Sequence, residues 1–283
     1  MIAFIGVGNM GGTLARAAVR SVGPEQVLVT SRTLEKAQRF AASCGCAAAT
    51  NTEAAERARY LFLGVKPQMM RQMLSGIAPV LRARSDRFVL VSMAAGLSMA
   101  QIAEFADGDY PVLRIMPNTP AAVGEGMIPY CANDAVTAEE TAEFCRILHC
   151  AGRLDPLPER LIDAAGALSG CGPAFVYAFI EAMADGGVRY GVPRALAYEL
   201  AAQTLVGAAK MVLETGEHPA ALKDAVCSPA GSTIAGVHAL EAGGFRAAAE
   251  DAYDRLIAPS MERELRSALT DEANEGAIGN FAL

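Results

Sequence analysis

The chain has 283 residues, 52% of them hydrophobic and 19% charged, with a net charge of −7. That length suits two domains, and the apolar content excludes wholesale disorder because a sizeable core can be buried. The acidic balance, with no run of Lys or Arg, argues against nucleic-acid binding, which needs a basic footprint.

The opening run "MIAFIGVG" predicts a buried strand. No basic stretch or cleavage site accompanies it, so no secretory leader is read and a cytoplasmic location is expected. Asn9 to Ser21 predicts a helix with Met10, Leu14 and Ala17 on one face. "QVLVTS" is a second strand and Leu34 to Ser43 a second helix. "YLFLGVKP" is a third strand, followed by a helix over Gln68 to Arg84. "FVLVSMAAG" and "VLRIMPNTP" continue the series. Continuous apolar runs separated by amphipathic helices imply parallel strands covered on both faces. The fold class is therefore α/β, with an N-terminal doubly wound Rossmann domain.

Beyond about Pro158 no strand-like run follows. Ala164 to Val188 and Arg194 to Glu214 are alanine-rich and apolar on more than one face. Such helices need burial that a single chain hardly offers, so an all-helical C-terminal domain packed against a second copy is expected. "DPLPE" suits the connection, giving domains 1–157 and 158–283. Gly166, Gly170, Gly172 and Pro173 interrupt the most apolar stretch, Ala164 to Ile180, which argues against a membrane span. The seven cysteines are irregularly spaced, and Cys44 and Cys46 are too close together for a C-x-x-C ligand pair. Reduced thiols and no metal site are expected. His149, His218 and His238 stand alone.

"GVGNMG" places Gly6, Gly8 and Gly11 directly after a strand and at the opening of a helix. There the first glycine permits the tight turn, the second lets backbone approach a pyrophosphate, and the third allows close helix–strand packing. Asn9 and Met10 lie inside the same loop. At the end of the second strand an acid would select NAD through the ribose hydroxyl. This chain has Ser31 and Arg32 instead, which suit a 2′-phosphate, so NADPH is expected, with NADH as the alternative. Further strand ends should line the same crevice: Val65, Lys66 and Pro67; Ala94, Ala95 and Gly96; Met116, Pro117 and Asn118. Lys66 fits a catalytic acid, a ribose or phosphate contact, or a solvated loop.

A nicotinamide carries the hydride, and the protein must present an acceptor carbon and manage one proton. No His falls at a strand end of the first domain, which disfavours alcohol oxidation with a dedicated base. An imine acceptor removes the need for a strong acid. "SPAGST", Ser228 to Thr233, interrupts the helical region just before a new helix. The amides of Gly231, Ser232 and Thr233 would be free at that helix start and suit a carboxylate, with the Ser228 and Thr233 hydroxyls nearby. A plain helix start capped by Ser228 or Ser232 fits the same residues.

"DAVCSPAGSTIAGVHALEAGGF" closely resembles the signature of the pyrroline-5-carboxylate reductase family. "FIGVGNMGGTLARA", "VTSRT", "GVKP", "MAAGLS", "RIMPNTPAAVGEG", "ALSGCGPAFVYAFIEAMADGGVRYGVP" and "GAAKMVLETGEHPAALKDAV" resemble it too, in order along nearly the whole chain. The resemblance implies NAD(P)H-dependent reduction of L-1-pyrroline-5-carboxylate to L-proline. It implies a homo-oligomer: a dimer, or a decamer built as a pentamer of dimers as the larger assembly. By position it assigns Gly6 to Gly11 to the pyrophosphate, Ser31 and Arg32 to the 2′-phosphate, and Asn51 to the adenosine half. Val65 to Pro67 and Ala94 to Gly96 line the ribose and nicotinamide. Ser228, Gly231, Ser232 and Thr233 hold the substrate carboxylate at the dimer interface, with Thr233 near the imine nitrogen as the candidate catalytic residue. Two departures stand out: Ala230 where the family often has glycine, and Cys171 where it has serine. A 3-hydroxyacid dehydrogenase is the enzymatic rival, but no lysine is marked for it. A non-catalytic NADP-binding regulator would have no use for the "SPAGST" turn.

Overall fold

A computed structural model describes residues 1–257. The chain begins β1 (Ile2–Ile5), α1 (Asn9–Val22), β2 (Val27–Thr30), α2 (Leu34–Cys44) and β3 (Ala47–Ala48). It continues α3 (Asn51–Arg57), β4 (Tyr60–Leu63), α4 (Pro67–Ala83), β5 (Val89–Ser92), α5 (Met99–Ala106) and β6 (Val112–Ile115). Then come β7 (Gly126–Ala132), α6 (Ala138–Leu148) and β8 (Gly152–Pro156). One eight-stranded sheet runs in the order β3-β2-β1-β4-β5-β6-β7-β8. Every residue of β1, β2, β4, β5 and β6 is buried, which is why these strands read as unbroken apolar runs. One face packs Phe4 on Phe62, ring centroids 4.4 Å apart, with α1 and α6 above. The other packs Leu61, Leu63 and Leu90 against Met70 and Leu74 of α4. The chain leaves β1 for β2 on one side and returns to β4 on the other. The strand order reverses there, and a crevice opens at the strand C-termini.

The sequence predicts parallel strands only. In the structure β7 runs antiparallel to β6, and β8 joins it in parallel. Gly126 and Pro129 inside β7 hide it from a hydrophobicity reading. The proline lacks a ladder donor, and its carbonyl accepts from Met116 instead, at 2.9 Å. The helices α3 and α5 escape the periodicity reading because they are short, and α6 escapes it as well. Each opens with a capping box, Thr50 with Glu53, Ser98 with Gln101 and Thr137 with Glu140. The T/S-x-x-E/Q signature in the sequence marks all three.

The second region contains α7 (Glu159–Arg189), α8 (Arg194–Thr215), α9 (Pro219–Ala225) and α10 (Ser232–Ala242), and residues 245–257 are helical. The glycines and Pro173 do not break α7, which is one 31-residue helix. By length and composition it is apolar enough to cross a membrane, and those four residues leave the helix unbroken. The sequence places the domain boundary between 157 and 158. By compactness the chain divides inside α7, into one unit ending at Cys171 and another starting at Gly172. The first turns of α7 are held to β6: the guanidinium of Arg114, 4% exposed, reaches Asp163 at 2.6 Å and Glu159 at 3.5 Å. Gly166 makes room for this approach, since a Cβ there would lie 2.3 Å from Met116 Cγ.

In the second unit the buried hydrophobics among the described residues are only Ala184, Ala197 and Ala201. Tyr177, Leu200, Met211 and Leu213 are exposed. Gly186, Gly207 and Gly236 face open space. Helices so apolar, and so uncovered among the described residues, are built for association.

Candidate active site

Gly6, Gly11 and Gly64 form a tight knot below the first crossover. Gly6 has φ +99°, and a Cβ on it would lie 2.8 Å from the Gly64 carbonyl oxygen. A Cβ on Gly11 would lie 2.1 Å from the Gly6 carbonyl oxygen, and one on Gly64 would lie 2.6 Å from that same oxygen. Gly64 does not figure among the sequence candidates, although its place at the end of β4 is the signal for it. The amides of Gly6 and Val7 donate to the Thr30 carbonyl at 3.1 and 3.2 Å, fixing this loop to the end of β2. Gly8 is the N-cap of α1, and nothing lies within 4 Å of where its Cβ would be. Asn9 and Met10 begin the helix. A helix N-terminus that is uncapped by any side chain and opens on free space is a ready anion site.

Ser31 is half-buried and Arg32 exposed, next to the first turn of α2. Asn51 lies across from them: Thr30 Oγ1 donates to Asn51 Oδ1 at 2.5 Å, leaving the Asn51 amide NH₂ for a ligand. Val65 is half-buried, Lys66 is the N-cap of α4, and Pro67 is its first residue. Ala94 is buried, while Ala95 and Gly96 are exposed. Gly96 has φ +71° with nothing near its missing Cβ. The loop ends where Glu159 Oε1 accepts from the Met99 amide at 2.7 Å, so the start of α7 also fixes the start of α5. Pro117 is half-buried. Asn118 is buried with both ends of its amide committed to the fold: Nδ2 donates to the Ser169 carbonyl and Oδ1 accepts from the Met127 amide, each at 2.9 Å.

In the second unit, Ser228 to Gly231 is a tight turn closed by the Gly231 amide donating to the Ser228 carbonyl at 3.0 Å. Proline at its second position and a positive φ at its third fit a type II turn. That third residue is Ala230, with φ +58°. The departure from glycine therefore falls where a side chain strains the backbone. The N-cap of α10 is Gly231, so neither Ser228 nor Ser232 caps the helix. The Gly231 amide is spent on the turn, which corrects the expectation that it is free for a carboxylate. The amides of Ser232 and Thr233 remain, in the first turn where no intrahelical acceptor exists. The hydroxyls of Ser228, Ser232 and Thr233 make no hydrogen bond among the described residues, and all three residues are exposed. A Cβ on Gly231 would lie 2.4 Å from Ser228 Oγ, so the absence of a side chain there lets that hydroxyl sit against the helix start.

Residues 159–263 match the family model described as pyrroline-5-carboxylate reductase dimerisation. Residues 1–96 match one described as NADP oxidoreductase, coenzyme F420-dependent. The pyrroline-5-carboxylate reductase of Escherichia coli is 44% identical over 262 residues, spanning 92% of this chain and 96% of that protein. This chain belongs to the pyrroline-5-carboxylate reductase family. The soybean (Glycine max) reductase is 40% identical over 93% of this chain and 95% of its own. Among solved structures, a Plasmodium falciparum pyrroline carboxylate reductase with NADP bound is 30% identical with a TM-score of 0.80, covering 92% of this chain and 96% of that one. The Coxiella burnetii reductase is 29% identical with a TM-score of 0.84, covering 92% and 97%. As in those reductases, the chain joins a Rossmann-like sheet to a helical region.

Proposed function

We propose that this member of the reductase family reduces L-1-pyrroline-5-carboxylate to L-proline with NADPH, the last step of proline synthesis. The observation that carries the reading is the Ser228–Thr233 turn: two amides at a helix start, set among three hydroxyls with no hydrogen bond among the described residues, in a chain 44% identical to a pyrroline-5-carboxylate reductase. A monoanionic cyclic imine has one carboxylate for those amides and one nitrogen for a hydroxyl.

NADPH supplies the hydride that goes to C5 of the imine. The glycine knot at Gly6, Gly11 and Gly64, and the open N-terminus of α1 at Gly8 to Met10, fit its pyrophosphate. Ser31 and Arg32 hold the 2′-phosphate and Asn51 the adenosine half. Val65, Lys66, Pro67, Ala94, Ala95, Gly96 and Pro117 shape the ribose and nicotinamide end, with Asn118 as the frame behind them. Ser232 and Thr233 amides bind the substrate carboxylate, and Ser228 adds a hydroxyl. Thr233 Oγ1 orients the imine nitrogen. An ordinary hydroxyl is a weak acid, so its role is positioning and relay of a proton drawn from water.

In this proposal residues 1–157 bind the cofactor and 158–283 bind substrate and associate. The dimerisation model beginning at residue 159 supports that division. It also supports a second copy, rather than lipid, as the cover for the apolar faces of α7 and α8. The assembly is a homodimer or a pentamer of such dimers, located in the cytoplasm, with no nucleic-acid or membrane partner. The test is loss of NADPH absorbance on adding pyrroline-5-carboxylate to purified protein, with L-proline identified as product. Tight NADPH binding without turnover would overturn the reading and direct attention to 3-hydroxyacids.

A further inference from the structure

Cys44 and Cys46 lie outside every residue used above. Cys44 ends α2, and Gly45 follows in the left-handed region at φ +73°, which turns the chain back and sets Cys46 beside the helix end. The Cys46 amide donates to the Ala41 carbonyl at 3.2 Å, which holds Cys46 against the last turn of α2, two residues from Cys44. Burial and then the charge of Cys44 push the Cys46 thiol up to about 11. The third member is Arg16 on α1. Its guanidinium lies 4.6 Å over the Phe40 ring, donates to Ser43 Oγ at 3.1 Å, and donates to Cys44 Sγ at 3.0 Å. Two anchors, the Phe40 ring and Ser43 Oγ, thus aim a fixed positive charge at one sulfur of the pair. Both thiols are half-buried and free. Thiol–disulfide exchange proceeds through attack by one sulfur, and the Arg16 donor at 3.0 Å fixes the position of Cys44 Sγ.

We propose that Cys44 and Cys46 form a dithiol site that closes to a disulfide on reaction with small disulfides. Cys44 attacks one sulfur of the small disulfide, forming a mixed disulfide and releasing one thiolate. That thiolate takes the proton of Cys46. Cys46 then attacks Cys44 Sγ, the protein disulfide forms, and the second small thiol leaves. Two protein thiols are oxidised and one small disulfide is reduced to two thiols.

The site reports to the cofactor half of the sheet, a consequence that rests on the function proposed above. Cys46 leads directly into β3, whose Ala47 and Ala48 pair with Leu28 and Val29 of β2. The Ala49 amide donates to the Val29 carbonyl at 3.0 Å, and Asn51 follows with its bond from Thr30. A ring closed across Gly45 pulls on this short edge strand and on Asn51.

The experiment treats the full-length protein with oxidised glutathione and digests it with trypsin. The peptide Phe40 to Arg57 contains these two cysteines and no others. It is expected to lose two hydrogens, and to regain them with dithiothreitol. Cys44→Ser and Cys46→Ser should each prevent the loss. A peptide that keeps both thiols, or carries glutathione on each, would overturn the proposal. Binding of NADPH, followed by fluorescence without substrate, should weaken several-fold in the oxidised protein and not in Cys46→Ser. A disulfide with unchanged NADPH affinity would overturn the coupling while leaving the site. Failure of turnover in the reduced protein would instead count against the reductase reading alone.

Discussion

Asn118 Nδ2 donates to the Ser169 carbonyl, the oxygen that Pro173 leaves without its helical amide four residues on. A proline inside a helix removes one bond and orphans one acceptor. Here a side chain from the end of β6 supplies the missing donor, and its own carbonyl is satisfied by Met127. Asn118→Ala should therefore cost about 2–3 kcal/mol, the penalty of leaving buried polar groups unpaired. Pro173→Ala restores an amide for Ser169. Asn118→Ala should therefore cost less in a Pro173→Ala background than in the parent, read from urea midpoints. Strict additivity would mean the two residues do not share that carbonyl.

Ala230 sits at φ +58° in the turn before α10. Left-handed backbone costs an alanine about 1–2 kcal/mol, and the extra freedom of a glycine in the unfolded chain returns part of that. Ala230→Gly is expected to raise stability by about 0.5–1 kcal/mol in denaturant titrations. A loss of stability would show that the turn does not strain the alanine.

Thr233→Ala should lower turnover about tenfold or more, the worth of one hydrogen bond to a charged group, while NADPH binding stays within twofold or so. Thr233→Ser should restore most of the rate. Parallel loss of rate and NADPH binding would make the residue structural instead.

Arg32→Ala should raise the NADPH KM by about 10- to 100-fold, because a charge-assisted bond to phosphate contributes about 1.5–3 kcal/mol. The KM for NADH, which lacks that phosphate, should hardly move. An equal effect on both cofactors would place Arg32 elsewhere.

The Arg87 guanidinium holds the buried Glu140 carboxyl below its ordinary value of 4.5, against the opposing effect of burial. Arg87 Nε and Nη2 donate to the two carboxylate oxygens at 2.8 and 2.9 Å. A depressed carboxylate stabilises the fold fully above its unfolded pKa, and that stability fades as pH falls through the lower folded value. Glu140→Gln should cost about 1–2 kcal/mol near neutral pH, since Arg87 is half-exposed, and the gap to the parent should narrow below pH ~4.5. Urea midpoints across that range check it; a constant gap would assign the loss to packing.

The sequence by itself determined the alternating sheet, the glycine loop and the helical second region. Each follows from local rules: buried parallel strands must be apolar throughout, and a turn at the head of α1 must be glycine. It left β7 unread because Gly126 and Pro129 mask a strand whose place is set by its neighbours β6 and β8. The rest depends on which distant groups meet. Asn118 looked like a ligand contact at a strand end, and tertiary structure commits it to Ser169 and Met127. Pro173 looked like a break, and Asn118 makes it tolerable inside α7. The Gly231 amide looked free until the turn closed on it. Arg16 and Cys44 are 28 residues apart in the chain and touch only because α1 and α2 pack together. Hydrogen-bond donors and acceptors are assigned by proximity in three dimensions, and no period or motif in the chain encodes that pairing.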